Sequence, residues 1–247
     1  MTPLFYYQNP NPEYPLNFGD DLSPMIVSRI LGKQVDICTR ETNPKLLALG
    51  SIIHFANNHD ILWGTGINGK MRYKVQKGVD RLDVRAVRGP RTRRLLMKYG
   101  IDCPEIYGDP ALLIPTLFPE YKAQGGAGVK LICHYHDHQK MLKMGLDFIP
   151  AWQPVEAVIA EICQADLVVS SSLHGVIVAE ALGVPAVYLR LSRQKHLFKY
   201  KDYYEGTGRK LKFARSVRKA IKTGGNGLPD FDAEALLKAF PRELYAD

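Results

Sequence analysis

One stretch in the second half of the chain constrains the fold more than any other feature. Residues 167–169 read Leu-Val-Val and predict a buried strand, and residues 170–175 read Ser-Ser-Ser-Leu-His-Gly and predict a turn. Residues 176–182 predict a helix ended by Gly183, and residues 184–189 predict the next strand. Strand, helix and strand joined by such short connections are typical of a βαβ unit. The sequence therefore predicts an α/β fold with a parallel sheet.

The same alternation extends along the chain. Further strands are predicted at residues 48–55, 61–63, 83–87 and 129–133, and further helices at residues 91–99 and 155–162. The glycine-rich stretch at residues 124–128 divides these elements near the middle. We expect two doubly wound α/β halves, residues 1–123 and 124–247, facing a cleft that binds ligand at the carboxyl ends of the strands.

Composition places the chain among soluble globular proteins. Of its 247 residues 46% are hydrophobic and 23% are charged, and no apolar run approaches the roughly 18 residues of a membrane span. The first residues lack a basic region followed by an apolar run, so we expect a cytoplasmic protein. The four cysteines form no C-x-x-C pair, which predicts neither a disulfide framework nor a zinc knuckle.

The net charge of +8 has several possible explanations. A phosphorylated substrate, an anionic membrane surface contacted peripherally, or an ordinary solvated basic face would each account for it. Since no nucleic-acid-binding motif accompanies the charge, we expect no nucleic acid partner. The sequence does not determine the oligomeric state.

The turn at residues 170–175 is the strongest candidate anion site. A turn that opens into a helix directs unpaired backbone N–H groups and the positive end of the helix dipole at one spot. Ser171 and Ser172 can add hydroxyl donors, and His174 can add a charge or a proton near neutral pH. The alternative is that the serines cap the helix and His174 belongs to the core.

Two further segments place chemical groups at predicted element ends. Arg88 follows a strand, where its planar guanidinium can bind a carboxylate or phosphate through two bonds, and Arg91 begins the next helix. Asn17-Phe18-Gly19-Asp20-Asp21 predicts a turn before a helix that starts near Leu22. Asp20 can hold an acceptor hydroxyl or act as a base; the alternative is a simple helix cap.

Histidines and aromatic residues form two more candidate segments. In a strand, His134, His136 and His138 would share one face, as a metal site requires, but no second ligand cluster exists and a substrate-facing loop is the preferred interpretation. Residues 198–204 alternate aromatic and charged residues, among them Lys199. Such a segment can stack on sugars and bind phosphate, or form an amphipathic surface.

Five motifs in order resemble the polysaccharide pyruvyl transferase family over roughly residues 17 to 190. They are Asn17-Phe18-Gly19-Asp20, Trp63-Gly64-Thr65-Gly66, Val87-Arg88-Gly89-Pro90-Arg91-Thr92, Gly108-Asp109-Pro110-Ala111-Leu112-Leu113, and Ser171-Ser172-Leu173-His174-Gly175 with the following Val178-Ala179-Glu180-Ala181-Leu182-Gly183-Val184-Pro185.

The resemblance implies two Rossmann-like halves of the GT-B-like type and transfer of pyruvate from phosphoenolpyruvate to two hydroxyls of a sugar, forming a cyclic ketal in surface or exopolysaccharide biosynthesis. It implies no cofactor and assigns no metal, and the acceptor is a saccharide that can be lipid-linked. Arg88 and His174 match positions thought to engage phosphoenolpyruvate, and with Asp20 they are the expected catalytic residues. The expected substrate-binding residues are Ser171, Ser172, Leu173, Gly175, Arg91, Gly64, Gly66, Asp109, His134 and Lys199.

The chain departs from the family pattern at two positions. Gly89 follows Arg88 where many members carry an acid, and Ser172 precedes Leu173 where many carry an arginine. The second change removes a cation from the donor site, and Arg91, Lys199 or Arg209 are the candidates to replace it.

Two other functions fit the same residues. A GT-B-type glycosyltransferase that uses a nucleotide sugar would also bind a diphosphate at a helix N-terminus. A non-catalytic carbohydrate- or anion-binding protein would bind ligand without consuming phosphoenolpyruvate.

Overall fold

The computed structural model describes residues 2–70, 75–192 and 196–246. Within these ranges nine strands form two parallel sheets. The first sheet has the order β1-β2-β3-β4, with β1 at Leu4–Phe5, β2 at Leu46–Leu47, β3 at Ile61–Trp63 and β4 at Asp83–Ala86. The second sheet has the order β6-β5-β7-β8-β9, with β5 at Val129–Cys133, β6 at Ile149–Pro150, β7 at Leu167–Ser170, β8 at Ala186–Leu189 and β9 at Phe213–Ala214.

The described helices lie between strands along the chain and after β9. They are α1 (Phe18–Leu31), α2 (Pro90–Lys98), α3 (Ile114–Leu117), α4 (His138–Lys143), α5 (Val155–Gln164), α6 (Leu173–Ala181), α7 (Phe198–Gly206), α8 (Val217–Thr223) and α9 (Ala233–Lys238). Short 3₁₀ turns occupy Ile53–Phe55, Pro110–Leu113, Tyr135–Asp137 and Arg242–Leu244. None of the helices formed by the described residues has the length and apolarity that crossing a bilayer requires.

The predicted fold class, two Rossmann-like halves with parallel sheets of the GT-B-like type, is confirmed. One predicted element is wrong: residues 48–55 do not form a strand, because Gly50 has a φ of 96° and turns the chain away from the sheet after β2. A second predicted element, the helix at residues 176–182, begins earlier than predicted. Ser172 is extended and serves as the N-cap of α6, so Leu173, His174 and Gly175 form the first turn of that helix and not a separate loop.

Several elements cross between the two halves. Helix α1 belongs to the first half by sequence but packs against α5 and α6 of the second, and the 3₁₀ turn at Pro110–Leu113 also contacts α6. The C-terminal segment returns to the first sheet, where the indole Nε1 of Trp63 donates to the carbonyl of Leu236 over 2.8 Å. A division at residues 123 and 124 separates the strands of the two sheets, but as a domain boundary it stays a prediction because these elements interlock.

A buried polar network joins α2 to α7. Arg88 and Asp202 are both buried, with a guanidinium nitrogen 3.4 Å from a carboxylate oxygen. The same carboxylate accepts from the backbone N–H of Thr92 over 2.9 Å and from its hydroxyl over 2.6 Å. Gly89 lies against the backbone of Asp202 so closely that a Cβ would sit 1.9 Å from the Asp202 carbonyl oxygen. The network therefore caps the N-terminus of α2 and holds α7 against that end of α2.

Asp202→Ala is expected to lower the free energy of unfolding by about 3–5 kcal/mol, because it leaves the Arg88 charge buried without its partner. Glu205→Ala is the matched control on the same helix. Glu205 also bridges α7 to α2, through Arg91 over 2.6 Å, but both side chains are about one-third exposed (29% and 32%). Its loss should cost about 1 kcal/mol or less. Urea unfolding measures both changes, and equal losses would contradict the role assigned to the buried network.

Candidate functional site

A pocket of about 350 Å³ lies between the two halves. Its lining segments follow the carboxyl ends of strands in both sheets, at the edge where parallel sheets bind ligands. The first half contributes Asn17, Asp20, Ser51, Asn68 and Lys70 together with the rings of Tyr7, His54 and Phe55. The second half contributes Ser172, Leu173, His174 and Lys199 together with the rings of His134, Tyr135, His136, His196 and Tyr200.

The lining residues carry an excess of basic groups. Five of the seven histidines in the chain line the pocket, with Lys70 and Lys199. Among the lining residues that the structure describes, Asp20 is the one carboxylate. A pocket with this balance favours a compact anion and places a single acid or base beside it.

The N-terminus of α6 forms one wall. Ser172 and Leu173 line the pocket, and Ser172 makes no capping hydrogen bond through its side chain. The other two serines turn inward. The Ser170 hydroxyl donates to the carbonyl of Ser172 over 3.0 Å and lies 3.3 Å from that of Ile132, and the Ser171 hydroxyl accepts from the backbone N–H of His134 over 3.0 Å. Ser171 is fully buried and is not among the residues that line the pocket, so the donation expected from its hydroxyl to ligand stays a prediction. Its hydroxyl instead joins the end of β5 to the end of β7.

The imidazole of His174 is held on two sides. Its Nε2 lies 3.6 Å from the Oδ2 of Asp109, and neither atom has a hydrogen-bond partner. Asp109 is fully buried and uses its other oxygen, Oδ1, to accept from the backbone N–H of Ala111 over 3.1 Å. On the other side, a Cβ added to Gly19 would lie 2.2 Å from Nδ1 of His174. The glycine of the first motif thus leaves space for the ring that the last motif supplies.

Asp20 is a carboxyl with an altered acidity beside this ring. Burial raises its pKa to about 6, against the opposing effects of the nearby His174, of a hydrogen bond from the Asn17 amide over 2.5 Å, and of Lys199. A group with this pKa exchanges its proton close to neutral pH, as a general acid or base must. Asp20, His174 and Lys199, each a candidate from the sequence, all line this pocket, and their catalytic or binding roles stay predictions.

Arg88 is not at the cleft edge, which corrects the sequence prediction. Its side chain is 1% exposed and lies behind the pocket wall. One terminal nitrogen donates to the hydroxyl of Ser51, a lining residue, over 2.9 Å, and the other donates to the carbonyl of Ile67 over 3.1 Å. Its charge is matched by Asp202, so Arg88 supports the wall and does not face the cavity.

The remaining predicted site residues fall into two groups, glycines that allow close packing and basic residues. Two glycines allow close packing behind the pocket: a Cβ on Gly66 would lie 2.4 Å from the Arg88 guanidinium, and one on Gly64 would lie 2.4 Å from the ring of Pro110. Gly175 packs against Ser170 in the same way. Of the three basic residues expected to replace the missing arginine, only Lys199 lines the pocket among the described residues; Arg91 is paired with Glu205 and Arg209 with Glu180.

The histidine run forms no strand. Residues 135–137 are a 3₁₀ turn and His138 begins α4, so the three histidines do not share a face. His134 and His136 stack 5.0 Å apart and line the pocket, whereas His138 contacts the hydroxyl of Tyr14 over 3.0 Å outside it. Within the described ranges no three His, Cys, Asp or Glu side chains group as a metal site.

Sequence reasoning did not identify the rings of Tyr7, His54, Phe55 and Tyr135 as lining residues. Tyr7 had a usable signal, because the short apolar run at residues 4–5 predicts a strand whose carboxyl end lies just before it. The sequence predicts a strand for Phe55, whereas in the structure Phe55 lies in a 3₁₀ turn and lines the pocket.

Comparisons with known proteins find a matching family and two similar curated proteins. A family model described as polysaccharide pyruvyl transferase matches residues 17–193. The succinoglycan biosynthesis protein ExoV of Rhizobium meliloti is 29% identical over 208 residues, which cover 78% of this chain and 62% of that protein. An uncharacterized protein of Acanthamoeba polyphaga mimivirus is 28% identical over 198 residues, which cover 73% of this chain and 66% of the viral protein. The chain thus spans a little under two thirds of the length of these two relatives.

A solved structure is also similar. It belongs to a functionally uncharacterized protein of Klebsiella pneumoniae and matches with a TM-score of 0.49 at 14% sequence identity. The match covers 81% of this chain and 87% of the Klebsiella chain.

Asp20→Asn is expected to stabilise the protein above pH 6 and to have little effect near pH 4. The pKa of Asp20 rises from 3.8 to about 6 on folding. The charged carboxylate therefore lowers the free energy of unfolding as pH rises from about 4 to 6, and by up to about 3 kcal/mol above pH 6. Below pH 4 the carboxyl is protonated in both states and the penalty disappears. Urea unfolding at pH 4 and pH 8 measures the change, with exposed Asp36→Asn as control. A gain that is the same at both pH values would refute the assignment.

Proposed function

This chain belongs to the polysaccharide pyruvyl transferase family, and we propose that it transfers pyruvate from phosphoenolpyruvate to two hydroxyls of a saccharide as a cyclic ketal. The observation that carries the proposal is the pocket where the α6 N-terminus, His174, Lys199 and Asp20 meet. The similarity to a succinoglycan biosynthesis protein supports a role in exopolysaccharide biosynthesis. Peripheral contact with an anionic membrane belongs to the same proposal and rests on the net charge of +8.

Phosphoenolpyruvate matches the charge of this pocket. The donor carries a carboxylate and a phosphate ester on the same carbon, and each charge-assisted hydrogen bond contributes roughly 1.5–3 kcal/mol. The backbone N–H groups of α6 and the side chain of Lys199 supply donors from the second half. His174 clamps the phosphate and supplies a proton. Lys199 takes the place of the arginine that Ser172 replaces.

The reaction proceeds by addition and substitution at one carbon. A proton from His174 is added to the terminal enol carbon, and the adjacent carbon becomes oxocarbenium-like. The first sugar hydroxyl bonds to that carbon and loses its proton. The bond to the phosphate oxygen then breaks, phosphate leaves with the electron pair, and the second hydroxyl bonds to the same carbon and loses its proton. One donor and one diol give one ketal and one phosphate, with no oxidation or reduction.

Asp20 serves the acceptor. Its carboxylate lies on α1 next to His174, and its pKa of about 6 lets it accept a hydroxyl proton at neutral pH. The Asn17 amide, which donates to the same carboxylate, holds it in place. In this proposal Asp20 acts as the base and His174 as the acid.

The assay combines labelled phosphoenolpyruvate with candidate oligosaccharides and detects a product heavier by one pyruvate less one water. Phosphate release should match ketal formed, and nucleotide sugars should give neither product nor release. Product formed from a nucleotide sugar, with none from phosphoenolpyruvate, would replace this function by glycosyl transfer.

His174→Asn is expected to lower turnover by about 10²–10⁴-fold, because the variant cannot donate the proton. His59→Asn is the matched control: His59 is exposed, lies outside the pocket and has a φ of 69°, which asparagine tolerates. Circular dichroism and thermal unfolding check that both variants fold. Turnover retained by a folded His174→Asn would remove the acid role from this residue.

Asp109→Asn is expected to lower turnover by at least about 10-fold, by analogy with the loss caused by neutralising the carboxylate that orients a catalytic histidine. Asparagine keeps an acceptor for the N–H of Ala111 but removes the charge that faces His174 Nε2. Asp109→Ala, which also removes the cap, should destabilise the protein. Full turnover in the asparagine variant would show that Asp109 only caps the 3₁₀ turn.

A further inference from the structure

Basic residues are concentrated in one segment that follows α7. Residues 209–222 carry seven lysines and arginines and no aspartate or glutamate, in a chain whose net charge is +8. Arg209 is paired with Glu180 over 2.7 Å. The other six are exposed, and within the part of the chain that the structure describes none of them pairs with a carboxylate. We call them the β9–α8 basic surface: Lys210, Lys212, Arg215, Arg218, Lys219 and Lys222.

The local structure turns these charges outward. Helix α8 packs on β7, β8 and β9 and buries Ala220, with Val217 packed against the same core cluster. The three basic residues of α8 are therefore left facing solvent. In and before β9, Leu211 and Phe213 pack against the core, and the two lysines at the alternate positions are exposed.

The backbone beneath the surface is fixed at both ends of α8. At the start of the helix, the hydroxyl of Ser216 accepts from the backbone N–H of Lys219 over 3.3 Å. Gly224 ends the helix with a φ of 79°. Asn226 then exchanges two backbone hydrogen bonds with Ala186 of β8, at 2.9 and 3.1 Å. The charges thus sit on a formed surface, so a partner has to order only the side chains.

Two exposed aliphatic side chains belong to the same segment. Ile221 on α8 is 48% exposed, and Leu228, just beyond the helix, is 64% exposed. Nucleic acids and acidic polysaccharides would neutralise the lysines and arginines but leave both aliphatic side chains in water. A bilayer interface accommodates both kinds of group, because anionic headgroups attract the charges and the acyl boundary buries the aliphatic side chains.

Protection of the sheet edge accounts for only part of the surface. Strand β9 is an edge strand of the second sheet, and lysines on an edge strand prevent pairing with another chain. This explains Lys210 and Lys212, which lie just before and beside the strand. It does not explain the basic residues of α8, which form no strand edge, or the exposure of Ile221 among them.

We propose that the β9–α8 basic surface binds the face of a bilayer that contains anionic phospholipids. The lysines and arginines lie at the level of the phosphate headgroups, and Ile221 enters the interface between them. The surface gives a definite location to the membrane contact that the proposed function infers from net charge alone. The binding itself needs neither donor nor turnover.

Co-sedimentation of the intact chain with vesicles tests the binding. The probes are vesicles of phosphatidylcholine alone and vesicles of equal parts phosphatidylcholine and phosphatidylglycerol. We expect at least about 10-fold stronger binding to the anionic vesicles, lost at high salt because salt screens the exposed charges. Equal binding to both vesicles would overturn the proposal. Binding to heparin or double-stranded DNA, with none to anionic vesicles, would replace the bilayer by a soluble polyanion.

A charge-matched pair of variants locates the contact. Replacing Arg218→Gln together with Lys222→Gln should weaken vesicle binding by about 5-fold per residue, roughly 25-fold in all. Lys98→Gln together with Lys122→Gln removes the same charge at exposed positions outside the surface, and should change binding by less than about 3-fold. Thermal unfolding checks that both variants fold. Equal losses would assign the binding to net charge and reject this surface.

The aliphatic contribution has its own test. Ile221→Ser should weaken binding to the anionic vesicles by at least about 3-fold, because the interface no longer buries the side chain. Leu142→Ser is the matched control on α4, where Leu142 is 52% exposed, and should leave binding unchanged. A folded Ile221→Ser that binds as well as the unaltered chain would remove insertion from the proposal. A loss in Leu142→Ser alone would move the contact to α4.

The surface and the proposed reaction can fail separately. Vesicle binding without ketal formation from any oligosaccharide would keep the surface and reject the function, and ketal formation without vesicle binding would do the reverse. On a soluble oligosaccharide, the variant with Arg218→Gln and Lys222→Gln should turn over at the unaltered rate, because both residues lie outside the pocket. Loss of that turnover in the folded variant would assign the two residues to the active site and contradict the proposal.

Discussion

The buried pair of Arg88 and Asp202 is the interaction on which the rest of the structure depends. The two charges are far apart in sequence, are removed from water, and meet where α2 of the first half touches α7 of the second. A buried charge is tolerated only with its partner in place, so the pair fixes α7 against α2. Lys199 lies at the start of α7, and the hydroxyl of Ser51 is held by the same guanidinium. The pair thus positions both walls of the pocket, although neither of its two side chains lines the cavity.

A second constraint sets the chemistry, namely the burial of Asp20 beside His174. In water the pKa of an aspartate carboxyl lies near 4, whereas burial raises the pKa of Asp20 to about 6, within reach of neutral pH. Asp109 approaches the same imidazole from the protein interior with no other partner for its second oxygen. One histidine therefore lies between a buried carboxylate and a pocket-facing one, which gives each a different task.

The sequence predicted the elements whose signals are local. The βαβ unit at residues 167–189 and its histidine were visible because apolar runs and turn residues lie next to each other. Arg88 was misplaced because its partner is distant in sequence, and no local pattern shows whether an arginine after a strand faces solvent or the core. The strand predicted at residues 48–55 failed because Gly50 turns within an apolar run. The rings of His54 and Tyr135 were not predicted as lining residues, because tertiary packing and no local pattern brings them to the pocket.

The interlocking of the two halves has a consequence for affinity. Helix α1 of the first half packs against the second half, and helix α7 of the second half packs against the first. The width of the cleft is therefore set when the chain folds. A ligand then meets walls already in place and spends little of its interaction energy on assembling them. A substitution that loosens the packing between the two halves therefore lowers ligand affinity from a distance, although the substituted residue does not contact the ligand.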